Sequence, residues 1–94
     1  MNQHEAQSLD GDIGIVEARA QFRAALVHTH TTRMGIGDVD VAAGRFCMLM
    51  RQAGHTPQRT LIDAKAVIEE TIDGDDAILA ERAITRCIEH YFRD

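Results

Sequence analysis

Residues 46–61 read Phe46-Cys47-Met48-Leu49-Met50-Arg51-Gln52-Ala53-Gly54-His55-Thr56-Pro57-Gln58-Arg59-Thr60-Leu61, and this stretch decides the fold class. Gly54 stops one helix, because glycine enters the left-handed conformation of a helix C-terminus without a Cβ penalty. Thr56 starts the next as an N-cap, its side-chain oxygen accepting from an orphan amide. Pro57 falls at the first helical position, where its missing N–H costs nothing.

Apolar residues recur at helical spacing on both sides of this turn. Upstream, Val39, Ala42, Ala43, Phe46, Leu49, Met50 and Ala53 form a stripe whose helix starts at Asp38 or Asp40, either of which can cap it. Downstream the stripe is Leu61, Ala64, Val67, Ile68 and Ile72. Asp73-Gly74-Asp75-Asp76 then combines a terminating glycine with a fresh acidic cap. The last helix carries Ala80, Ala83, Ile84, Cys87, Ile88 and Tyr91. Toward the N-terminus, Ile15, Ala18, Phe22, Ala25, Leu26 and Thr29 form a first stripe that begins near Asp12 and ends before Gly35. Within it, Val27-His28-Thr29-His30-Thr31-Thr32 also suits a short strand, and a helix fraying there is the reading taken. Residues 1–11 have little periodicity and read as a flexible leader. The expectation is an all-α fold, a small four-helix bundle with short antiparallel connections, formed by residues 12–94 as one domain.

Composition agrees. Of 94 residues, 45% are hydrophobic, too many for a disordered chain, and only 4% are aromatic, with no tryptophan. The core is therefore aliphatic, which suits closely packed helices. The net charge of −5 argues against a general nucleic-acid or anionic-membrane binder. It is unevenly spread: −2 over residues 1–30, +2 over 31–60 and −5 over 61–94. The first residues lack the basic and apolar regions of an export signal, and no run of apolar residues is long enough to span a membrane. A cytoplasmic, reducing setting follows as an expectation, with Cys47 and Cys87 as free thiols.

Phe46-Cys47-Met48-Leu49-Met50 departs from one-sided amphipathicity. Five consecutive apolar residues at 100° steps pass right around a helix. Two arrangements accommodate them: a central helix flanked on both sides within the domain, or an exposed strip that docks a protein partner or a second copy. The second makes Met48 and Met50 the anchors, with Arg45 and Arg51 as a polar rim. On that basis the expected function is non-enzymatic: protein–protein contact, including self-association through the second helix.

Other chemistry is sparsely supported. Residues 46–72 have the outline of a helix-turn-helix with Gln58, Arg59 and Thr60 heading the recognition helix, but Asp63, Glu69, Glu70 and Asp73 oppose phosphate binding. His28 and His30, Cys87 and His90, Asp10-Gly11-Asp12 and Asp73-Gly74-Asp75 each lack the further ligands a metal requires. A Cys47 nucleophile with His28, His30 or His55 as base needs a cleft that small bundles seldom have. No metal, cofactor or catalytic set is read.

Two resemblances are carried by particular residues. His30-Thr31-Thr32-Arg33-Met34-Gly35 resembles the His-x-x-Lys-Gly segment of histidine phosphotransfer domains, with a basic residue three positions on but the glycine one position late. This implies His30 as a phosphoacceptor. Arg51–Lys65, with its Gly54-x-x-Pro57-x-x-x-Leu61 hairpin, and Ala83–Phe92, closing on two aromatics, are similar to a group of small uncharacterised bacterial all-helical proteins over about residues 51–92. That resemblance implies a helical fold and a bacterial cytosolic origin, and no activity.

Overall fold

The computed structural model describes residues 3–72 and 76–92, with side chains from residue 14 onward. The described residues form four α-helices: α1 Gln3–Thr32, α2 Ile36–Gln52, α3 Pro57–Ile72 and α4 Ala77–Tyr91. Among the described residues there is no strand. The fold is the small all-α four-helix bundle expected from the stripes.

The α2–α3 turn forms as its residues dictate. Gly54 adopts φ 89°, and its amide reaches the Arg51 carbonyl at 3.0 Å while that of His55 reaches Met50 at 3.0 Å. These paired bonds satisfy carbonyls that a helix end otherwise leaves orphaned. Thr56 Oγ1 accepts from the Arg59 amide at 3.1 Å, capping α3 from Pro57 onward. At α4 the cap is Asp76, whose Oδ1 accepts from the Leu79 amide at 3.2 Å. Gly74, expected to end α3, lies outside the described residues.

The first two helices depart from expectation at their ends. α1 begins at Gln3 rather than near Asp12. Residues Gln3–Gln7 include Gln, Glu and Ala, good helix formers that carry no apolar period. The ambiguous His-Thr stretch is helical to Thr32. Thr29 is buried and its hydroxyl donates to the Gly35 carbonyl at 3.1 Å, while the Thr32 hydroxyl donates to the His28 carbonyl at 2.8 Å. α2 starts at Ile36, two residues ahead of Asp38. Gly35, at φ 87°, takes the cap position, and its carbonyl accepts from the Asp38 amide at 2.9 Å. Asp38 thus sits in the first turn, and Asp40 lies inside the helix facing α4.

α2 packs chiefly on α1 and α4, and α3 packs on those same two helices. α2 and α3, although joined by the Gly54 turn, meet only across the diagonal. Phe22 of α1 and Phe46 of α2 anchor the core with ring centroids 5.8 Å apart. Around them lie Leu26, Val39, Met50, Val67, Ile72 and Leu79, all buried.

Small residues bring α2 and α4 close. A Cβ on Gly44 would stand 2.7 Å from the His90 ring, so only glycine admits that ring. One turn further along α2, Cys47 and Cys87 have Cα atoms 5.5 Å apart and are joined in a disulfide. The expectation of free thiols is therefore corrected: both sulfurs fall at facing positions of one seam, within bridging distance, which a separation of 40 residues does not reveal.

Candidate partner-binding surface

The apolar run of α2 is absorbed by its position between α1 and α4. Phe46 and Cys47 are fully buried, and Met50 is 1% exposed. Leu49 is partly buried against the same core. Met48 alone of the five is open, at 46%. The flanked arrangement therefore accounts for the run, and Met50 is corrected from partner anchor to core residue. Arg51 donates to the Tyr91 carbonyl at 2.9 Å and lies over the Tyr91 ring, fastening the end of α4. Arg45 and Met48, with exposed Val41, occupy the outward side of α2. That side is convex, and isolated apolar residues on such a surface are ordinary.

The α3–α4 seam is different. Between these helices lies an open concavity of about 470 Å³ with Ile68, Ala80 and Ile84 at its floor and Lys65, Glu69 and Glu81 at its edges. Toward the other end of the seam a small notch continues the line, walled by Leu61, Ile88, Tyr91 and Phe92 and reaching Cys87. Ala77, Ile84, Ile88 and Phe92 recur at helical steps along α4, so the two separate hollows lie in line along one seam, the furrow between α3 and α4. Phe92 is 63% exposed at its end. Tyr91 meets Phe92 edge-on at 5.2 Å and donates its hydroxyl to the His55 carbonyl at 2.6 Å. Thr60, 1% exposed, lines the notch with a hydroxyl that has no hydrogen-bond partner among the described residues.

The furrow was hidden in the sequence because its residues also belong to ordinary stripes. Leu61, Ile84 and Ile88 were read as core-facing. The available signal was breadth: the apolar arc of α4, extended to Phe92, exceeds what one neighbouring helix covers.

The charged groups are mostly engaged internally. Arg82 grips Asp40 through two bonds of 3.1 and 2.9 Å, and Arg86 joins it at 3.2 Å. The hydrogen bond from Arg82 leads in holding the Asp40 carboxyl below its ordinary range, against the upward push of burial. Between α1 and α3, Arg23 pairs with Glu70 at 2.9 Å and Arg19 with Asp63 at 3.8 Å, while Arg59, one turn before Asp63 on α3, joins the same carboxylate at 3.4 Å. The outlined recognition helix thus has Arg59 tied to a carboxylate and Thr60 turned into the core.

His30 is also engaged. Its Nδ1 lies 3.3 Å from Asp76 Oδ2, and Arg33 pairs with the same carboxylate. Burial pushes the Asp76 carboxyl up, but bonds from His30, the Leu79 amide and Arg33 together hold it below its ordinary range. The cluster ties the end of α1 to the cap of α4. Cys87 of the Cys87–His90 spacing is committed to its disulfide, and among the described residues no three His, Cys, Asp or Glu side chains converge as a metal would need.

Comparison with known proteins finds no family model, curated protein or solved structure that matches this chain. Among the described residues, no helix is long and apolar enough to cross a membrane.

Proposed function

We propose that this protein is a non-enzymatic interaction module whose contact surface is the furrow between α3 and α4 rather than the outer side of α2. The observation that carries this reading is the apolar concavity floored by Ile68, Ala80 and Ile84, which the described residues leave open. Apolar residues assembled in a concave, polar-rimmed strip are the usual form of a helix-accepting groove. The test compares proteins captured by the full chain with those captured by Phe92→Ser and Met48→Lys variants, alongside the solution mass of each. A partner, or a second copy, lost with Phe92→Ser and kept with Met48→Lys supports the furrow. The reverse pattern returns the function to α2, and a strict monomer with identical captures throughout overturns both.

The proposed setting is cytoplasmic, and the Cys47–Cys87 bond sharpens how this is tested. Cytosolic thiol pools keep most such pairs reduced. A chain whose thiols are blocked at lysis and which is nevertheless recovered oxidised moves the protein to an oxidising compartment.

A second reading rests on His30. With Asp76 accepting from Nδ1–H, Nε2 becomes the lone-pair nitrogen that a phosphoacceptor uses. Acid-labile label from acetyl phosphate, lost in His30→Gln and retained in His28→Gln, supports it. Absence of label ends it.

A further inference from the structure

We infer that the occupant of the α3–α4 furrow is an amphipathic helix of another protein, about four turns long, with basic residues along both flanks. This rests on the interaction reading above and goes on to specify the partner's chemistry. The length follows from the lining: α4 contributes from Ala77 to Phe92, which spans about 22 Å at the helical rise of about 1.5 Å per residue. An apolar stripe at i, i+4 and i+7 on the incoming helix matches the four-residue step from Ile84 to Ile88 and the seven-residue step from Leu61 to Ile68 on the facing helix.

The flanks follow from charge. Asp40, Asp63, Glu70, Asp76 and Glu89 are each engaged by an arginine. Glu69 on the α3 edge and Glu81 on the α4 edge have no such partner among the described residues, although both border the apolar floor. A docked helix with a base beside each carboxylate completes those pairs as water leaves the groove. Lys65 lies one turn from Glu69 on the same edge. It calls for one acidic or amide residue on that flank, which fixes the direction in which the helix lies.

The same features disfavour other occupants. A second copy that offered the outer side of α2 would press Arg45, which stands between Val41 and Met48, onto the apolar floor, and one that met furrow to furrow would set the acidic edges of Glu69 and Glu81 against each other. The outer side of α1 offers Val16 and Val27, but Arg19 and Arg23 beside them are already tied to Asp63 and Glu70. An anionic lipid surface meets two unpaired carboxylates.

The absence of tryptophan makes the test direct. A Leu/Lys amphipathic peptide of about 15 residues, with one tryptophan on its apolar face, is titrated with the full chain while its emission is followed. A saturable blue shift is expected, with about tenfold weaker binding of the matching Leu/Glu peptide. Glu69→Lys/Glu81→Lys is expected to reverse that preference, and Phe92→Ser to weaken both peptides. All of these positions are on the surface, and circular dichroism verifies that the variants fold. A scrambled Leu/Lys peptide binding as well as the amphipathic one, or equal loss of binding in Glu17→Lys/Asp38→Lys, would reduce the effect to general charge attraction and overturn the inference. So would preference for the Leu/Glu peptide, or co-sedimentation of the full chain with anionic vesicles when no peptide is present. A wild-type dimer that Phe92→Ser converts to monomer assigns the furrow to a second copy, which overturns this partner while leaving the interaction reading intact.

Discussion

α4 presents two seams, and they are built on opposite lines. Against α2 it is closed: Gly44 admits the His90 ring, Cys47 bonds Cys87, and Asp40 is gripped by Arg82 and Arg86. Against α3 it is open: a concavity lies between the helices, and among the described residues neither the two carboxylates that border it nor the buried Thr60 hydroxyl has a partner. Close approach of two helices needs small residues facing each other and every polar group paired. The α2 side meets both conditions. On the α3 side the larger residues Ile84 and Ile88 face the seam and stay partly exposed.

This contrast can be broken most forcefully at the disulfide. Cys47→Ala/Cys87→Ala releases a loop of 40 residues, worth about 4 kcal/mol by the chain-entropy estimate. Calorimetry should record a fall of roughly 20 °C in Tm. A change of only a few degrees would mean that the seam holds without its covalent bond. Next in size is Gly44→Ala, which drives a methyl into the His90 ring and should cost about 1–2 kcal/mol in denaturant unfolding. In a His90→Ala background the same substitution should become stabilising by up to about 1 kcal/mol, because alanine favours the helix.

The open seam should respond with the other sign. Thr60→Val keeps the shape and removes the unpartnered hydroxyl, so it is expected to stabilise by about 1 kcal/mol. Destabilisation would reveal a partner for that oxygen. Smaller still is Asp40→Asn, at under about 1 kcal/mol for a partly exposed ion-pair cluster. Since Asp40 titrates below its ordinary range when folded, its stabilisation is complete above about pH 4 and is lost as pH falls through the lowered folded value. The wild-type chain should therefore lose stability more steeply than Asp40→Asn in acid, and the two should converge there.

The architecture was legible because local chemistry and burial pattern agreed. Gly54, Thr56 and Pro57 each have one dominant backbone role, and Ala64, Val67, Ile68 and Ile72 of the α3 stripe and Ala83 and Cys87 of the α4 stripe point to the core they occupy. α2 was harder at its start, since Gly35 displaces Asp38 and Asp40 from the cap through a backbone conformation that aspartate seldom adopts. Asp40 is consequently spent across the α4 seam, a role set by a neighbour remote in sequence. The candidate surface was misplaced for a related reason. Periodicity marks Phe46–Met50 as apolar all round but does not say how many helices surround it, so Met50 and Met48 look alike until α1 and α4 are in place. The furrow depends on how α3 and α4 lie against each other, which the stripe of either helix taken alone does not state.

The bond between Cys47 and Cys87 also governs how the molecule bears mechanical load. Tension applied through the two chain ends passes from α1 into α2, crosses at the sulfurs and leaves through the last turn of α4. The intervening residues, including all of α3, form a closed covalent loop outside that path. Stretching the oxidised chain should therefore release roughly 140 Å less contour than its length implies, given a separation of 40 residues and an extended span of about 3.5 Å per residue. One wall of the furrow is in this way shielded from force that reaches the other.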